Sequence, residues 1–257
     1  MAPLFSLEKV SFGYPAHPVL REVGFNLHPR ERVALVGANG AGKSTLLHLL
    51  VGLCLPSDGT VIAFGKSRKT EKSFREVRLR TGLLFQDPDD QLFSPTVLED
   101  VVFGPRNQGK SQQEALEIAH KTLRTLGLDG LGHRVTHKLS GGEKRLVSLA
   151  TVLAMQPDVL LLDEPTNGLD EKTEQRLIEH LESLTQAIVF VSHDRRFVER
   201  LATRAVVLQD GTLQDAVLHS HPHSHTHSHL HIHAVDEVKH GHQAKNIPPE
   251  HGDHQHD

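Results

Sequence analysis

Residues 33–45 read VALVGANGAGKST: an apolar run, a loop carrying Gly37, Asn39, Gly40 and Gly42, and then Lys43, Ser44 and Thr45. Glycines let a backbone curl so that successive amide N–H groups point at one anion, and a helix starting at the loop's end adds its positive pole. The order matches a phosphate-binding loop. Lys43 would reach the β- and γ-phosphates of a nucleotide, and the Ser44 hydroxyl would ligate Mg²⁺. A second stretch, VLLLDEPTNGLD at 159–170, ends four apolar residues on the acidic pair Asp163-Glu164. The carboxyl ends of strands are where open α/β sheets bind ligands. The two carboxylates take separate roles: Asp163 suits the magnesium coordination sphere, leaving Glu164 to polarise an attacking water. Alone, these stretches also fit a glycine-rich turn and an acidic helix cap; side by side they describe nucleotide hydrolysis. A third chemical feature stands at 219–233, where His219, His221, His223, His225, His227, His229, His231 and His233 occupy every second position. Neutral imidazole suits borderline Ni²⁺, Co²⁺ and Zn²⁺.

Such residues need a scaffold, and the flanking pattern supplies one. Short apolar runs alternate with longer amphipathic segments, the mark of an α/β domain. Strands are expected at Arg32–Val36, 60–64, 81–85, 159–162, Ala187–Val191 and 205–209, with Asp210-Gly211 turning into a last strand at 212–214. Ser111 and Glu114 have capping-box spacing ahead of a helix whose Leu116, Ala119, Leu123 and Leu126 share a face. Ser140 and Glu143 repeat that spacing ahead of a helix through Ala154, and a third helix is expected at 171–184. From His219 the apolar periodicity stops, so residues 1–218 read as one compact domain and 219–257 as a flexible histidine-rich tail. The chain carries 28 basic and 32 acidic side chains, too balanced to favour nucleic acid as a partner. One cysteine, Cys54, excludes an intrachain disulfide framework and fits a reducing compartment. With no basic region followed by an apolar run at the N-terminus, a cytosolic protein is expected.

The segment LSGGEKRLVSLA at 139–150 resembles the signature of the ABC-type ATPases, and the other stretches fall into that family's order. Tyr14 resembles the aromatic that stacks on adenine, and Gln86 the glutamine linking the γ-phosphate and magnesium site to a membrane partner. Ser140, Gly141 and Gly142 resemble the signature that closes over ATP from a second subunit. Residues 167–170 resemble the loop crossing the dimer interface, and His193 the switch histidine that contacts the γ-phosphate. The resemblance covers about residues 4–215. It implies a P-loop NTPase fold of ABC ATPase type: a mixed core sheet, an antiparallel β-subdomain and a helical signature subdomain at about 87–157. One phosphate loop and one signature per chain lie apart in a monomer, so two subunits complete each ATP site. A homodimer is expected, with a heterodimer as the alternative.

Residues 86–107, QDPDDQLFSPTVLEDVVFGPRN, are similar to the stretch after the glutamine in the energy-coupling-factor branch, which includes vitamin and nickel/cobalt uptake systems. The resemblance implies a groove for coupling helices of integral membrane subunits, lined by Phe93, Pro95, Val97 and Val101. It also implies a peripheral place at the cytoplasmic face of the membrane. Paired with the histidines, it points to import of nickel first and cobalt second, with a vitamin or other small solute as the alternative. A nickel-handling P-loop GTPase is the rival of another class. The Asn-Lys-x-Asp motif that generally selects guanine is missing, and LSGGE has no part in that reading.

Overall fold

The computed structural model describes residues 2–222 and 228–234, with side chains described to Ala216. The chain runs β1 (Phe5–Tyr14), β2 (His17–Leu27), β3 (Arg32–Val36), α1 (Lys43–Val51), β4 (Asp58–Ala63), β5 (Lys66–Arg68), α2 (Arg75–Arg80) and β6 (Thr81–Leu84). It continues through α3 (Val97–Asn107), α4 (Gln112–Thr125), α5 (Gly141–Leu153), β7 (Val159–Asp163) and α6 (Glu171–Ser183). Last come β8 (Ala187–Val191), α7 (Arg195–Leu201), β9 (Arg204–Gln209), β10 (Thr212–Pro222) and β11 (Ser228–Ala234).

Two sheets form. The larger has the order β11-β10-β9-β3-β8-β7-β6 and the smaller the order β2-β1-β4-β5. Strands β9, β3, β8, β7 and β6 run parallel, and β10 and β11 add an antiparallel edge. Every residue of β7 and β8 is buried, as parallel strands covered on both faces require. One core cluster joins the smaller sheet, through Phe5, Leu20 and Val61, to α1 and one face of the larger sheet. A second packs Leu149, Leu177, Leu181 and Phe197 against the other face. The fold is therefore α/β, as the patterning indicated, with a mixed sheet and an antiparallel layer, as the resemblance implied.

Helices α3, α4 and α5 enclose a third cluster containing Val97, Val101, Ala119, Leu123, Val147 and Ala150. Helix α5 serves two clusters, giving Val147 and Ala150 to this one and Leu149 and Val152 to the sheet. Both expected capping boxes form: Ser111 accepts from the Glu114 amide, and Ser140 from the Glu143 amide. Val97 and Val101 are fully buried and belong to this core, not to a groove. In the segment expected to dock a partner, Phe93 and Pro95 are exposed.

The C-terminal segment departs from the flexible-tail expectation over part of its length. Strand β10 continues to Pro222, and Ser228–Ala234 pairs with it antiparallel. Alternation of period two is the strand period, and an uncovered sheet edge offers a row of free N–H and C=O groups. Leu230, Ile232 and Ala234 alternate with the histidines, an amphipathic strand pattern present in the sequence. His223, His225 and His227 lie outside the described residues, as does the stretch from 235 onward.

Candidate nucleotide site

Strand β3 delivers the glycine loop to the mouth of the larger sheet, and α1 starts at Lys43. Gly37 and Gly42 have φ of +150° and +102°, backbone that side-chain-bearing residues rarely adopt. A Cβ on Gly37 would stand 2.4 Å from the Leu208 carbonyl oxygen, so residue type there is dictated by space as well. Lys43 Nζ turns back into the loop and donates to the carbonyls of Gly37 and Ala38, both at 2.9 Å. Those bonds hold a nearly buried ammonium where the phosphates would lie.

A cleft of about 880 Å³ gathers Tyr14, Asn39, Gly40, Gly42, Lys43, Ser44, Thr45, Gln86, Asp163, Glu164 and His193. The Tyr14 ring is 49% exposed at its rim, set edge-on to Phe12 with centroids 5.1 Å apart. Gly37 lies beside the cleft, its carbonyl bound to Lys43. Ser44, Gln86 and Asp163 also line one adjoining recess with His48 and Arg145. These oxygen donors, including a nearly buried carboxylate, fit a hard Mg²⁺ ion.

Glu164 sits just past β7 with φ +50°, a left-handed conformation uncommon outside glycine. Its amide donates to the Val191 carbonyl at 3.0 Å, which ties the bend to the end of β8. Burial raises the Glu164 carboxyl above the ordinary glutamate range, and nearby His193 opposes the shift. His193 Nε2 lies 3.3 Å from Glu164 Oε1, with the imidazole 62% exposed toward the opening. A carboxylate held at raised proton affinity beside a phosphate cradle is equipped to accept a proton from water.

Ser140, Gly141 and Gly142 are not among the residues lining this cleft. They form the start of α5, where Ser140 Oγ accepts from the Glu143 amide at 3.3 Å. A Cβ on Gly142 would stand 3.2 Å from the Gly168 carbonyl oxygen, so the signature abuts the 167–170 loop of its own chain.

Sequence reasoning missed Arg145, buried on α5. Its guanidinium donates to the Phe85 carbonyl at 2.7 Å and also to the Gln86 carbonyl. Gln91 reinforces the link: Oε1 accepts from the Phe85 amide at 3.2 Å, and Nε2 donates to the Ser148 carbonyl at 2.8 Å. The signature helix thus holds the Gln86 loop by side chains. The available signal was a cation at helical spacing with the inward-facing Ser148, Leu149 and Val152. His48 was missed too; burial lowers its imidazole pKa against the pull of Asp163.

Beyond this loop, Phe93 and Phe103 are 66% and 48% exposed and meet edge to face, centroids 4.8 Å apart. Asp100 Oδ1 accepts from the amides of Phe93 and Ser94 at 3.2 and 2.9 Å. Burial keeps the Asp100 carboxyl above the ordinary aspartate range, partly offset by those amides and the Ser94 side chain.

The ABC transporter family model matches residues 20–167. An ABC transporter ATP-binding protein of Brucella suis is 53% identical over 86% of this chain and 92% of its own length. The chain belongs to the ABC transporter ATP-binding family. This ABC ATPase is also 42% identical to the energy-coupling factor transporter ATP-binding protein EcfA of Methanothermobacter thermautotrophicus, over 82% of this chain and 69% of that one. Among solved structures, cbiO1 from Clostridium perfringens, part of the ABC transporter complex cbiONQ, matches with TM-score 0.72 and 32% identity, covering 83% of this chain and 87% of that one. A dimeric ATP-binding cassette in a post-hydrolysis state, bound to ADP and Pi, matches with TM-score 0.76 and 26% identity, covering 81% of this chain and 96% of that one. No helix among the described residues is long and apolar enough to cross a membrane.

Proposed function

We propose that this ABC ATPase powers import of a transition metal, nickel first and cobalt second, through integral membrane subunits at the cytoplasmic face. The observation that carries the choice of metal is the run of eight alternating histidines joined to an ATPase similar to energy-coupling-factor subunits. Imidazole-rich, thiol-free composition favours borderline divalent ions. The segment would act as a cytosolic trap beside the import path.

In the cleft, Tyr14 stacks on adenine while the amides of Asn39, Gly40 and Gly42 and the Lys43 ammonium hold the phosphates. Ser44, Asp163 and Gln86 would hold Mg²⁺, which would supply neutralisation of phosphate charge. Glu164 takes the proton of the attacking water, and His193 contacts the γ-phosphate and keeps Glu164 in place. Ser140, Gly141 and Gly142 serve the cleft of a second ATPase subunit, where the start of α5 offers free amides to the γ-phosphate. Two subunits pair head to tail, most simply as a homodimer. The Gln86 loop passes closure to the Phe93–Phe103 patch, which receives the membrane partner.

The test is uptake by cells carrying the ATPase with its copurified membrane subunits, comparing radiolabelled nickel, cobalt and a panel of vitamins. Nickel accumulation that requires Glu164 is the expected result. Accumulation of a vitamin without either metal would overturn the metal assignment.

A further inference from the structure

The β10–β11 ladder has a register that sorts the histidines onto one surface. His219 pairs with His231, and His221 pairs with His229. Directly opposed residues in an antiparallel ladder share a face, and so do residues two apart on one strand. All four positions therefore lie on the same face, as corners of a quadrilateral. The opposite face carries Leu218 paired with Ile232 and Ala216 paired with Ala234. Ala216, on that opposite face, packs against the second core cluster. A slip of β11 by one residue would move its histidines to the face that Ala216 shares, so the register decides which face they take.

We propose that His219, His221, His229 and His231 form one site for a single divalent transition-metal ion across this ladder. The proposal rests on the reading of the histidine segment as metal-binding and gives it a defined geometry. Opposed Cβ atoms in such a ladder are ~4.5–5.5 Å apart, and positions two apart on one strand are separated by a rise of ~6.7 Å. Imidazoles bind Zn²⁺-like ions at ~2.0–2.1 Å and reach several ångströms beyond Cβ, so both spacings allow a shared ion. His233 is opposed by Val217, so it stands outside the quartet. A strand pair held in register pays less ordering entropy on binding than a free chain, which gives one tight step followed by weaker binding to the remaining histidines. Binding to the paired form also stabilises the edge hairpin.

The experiment is calorimetric titration of the full chain with Ni²⁺, comparing two double variants that remove equal numbers of histidines. His219→Ala with His231→Ala breaks the quartet; His251→Ala with His254→Ala lies outside it. Unchanged thermal unfolding of both metal-free variants serves as the check on folding. Outer-shell partners alone are worth ~10–100-fold in metal affinity, so losing two ligands should weaken the tight step by more than about tenfold. The second variant should keep that step at one ion per chain. Equal weakening in both variants would overturn the quartet and leave a metal-binding segment governed by histidine number. Absence of any Ni²⁺ binding by the unaltered chain would overturn both readings.

Discussion

At the residue scale the proposed hydrolysis turns on Glu164, a carboxylate in left-handed backbone whose proton affinity is raised by burial. Glu164→Gln keeps the shape and removes the base, so ATP turnover should fall between about 10²- and 10⁴-fold while ATP binding survives. Near-normal turnover in that variant would move the base elsewhere. Lys43→Ala acts differently: it removes the cation facing the phosphates, so nucleotide affinity falls, as equilibrium binding of a fluorescent ATP analogue would report. The pH profile gives a further check. Glu164 must be ionised to accept a proton, and its pKa lies above the ordinary glutamate value. Activity should therefore be lost on acidification at a pH above about 4.3, the unperturbed value. An acid limb at or below that value would show that the buried carboxyl is not the titrating base.

At the element scale, α5 links three parts: its N-terminus carries the signature, Arg145 and Ser148 grip the Gln86 loop, and its apolar faces join two cores. Past that loop, Asp100 fixes Phe93. A carboxyl with a raised pKa binds its proton more tightly folded than unfolded, so its contribution to stability is lost as pH rises through that window. Asp100→Asn should accordingly leave thermal stability at pH 8 unchanged or higher, with the gain fading toward pH 4. Asp100→Ala should lower stability by about 1–3 kcal/mol, since two part-buried amides lose their acceptor. Equal melting points for all three proteins would remove Asp100 from this role. Replacing Phe93 and Phe103 by serine should weaken pull-down of the membrane subunits, because exposed aromatics of that size anchor interfaces. Undiminished pull-down by the folded variant would place the docking surface elsewhere. The elements that position the ATP site were legible where chemistry and periodicity coincide: β3 and β8 at their observed bounds, and α4 and α5 through their capping boxes. The link through Arg145 was not, since a local pattern does not tell which carbonyls a buried guanidinium will meet. Val97 and Val101 were placed at a groove because apolar residues look alike whether they pack inward or await a partner. The histidine strands were missed because polar alternation was read as absence of a core. The two halves of the segment pair with each other beyond Ala216, where β10 leaves β9, and sequence spacing does not display that pairing.

For the whole molecule, the cleft holds the phosphate loop, Asp163 and Glu164, whereas the signature glycines start α5 away from its lining. On the proposed function, each chain would carry one half of a site and the complementary half of another, a relation that two-fold symmetry closes. On the same reading, binding energy from ATP would drive closure and hydrolysis would release it, both steps reaching a membrane partner through α5 and the Gln86 loop. The claim on which all of this depends is pairing through ATP. It is tested most directly by light scattering on the Glu164→Gln chain with Mg²⁺ and ATP, where closure outlasts the measurement. The 28.5 kDa mass should double on adding ATP, and the doubling should be lost when Ser140 and Gly142 are also replaced. A chain that binds ATP and stays at the monomer mass would contradict it.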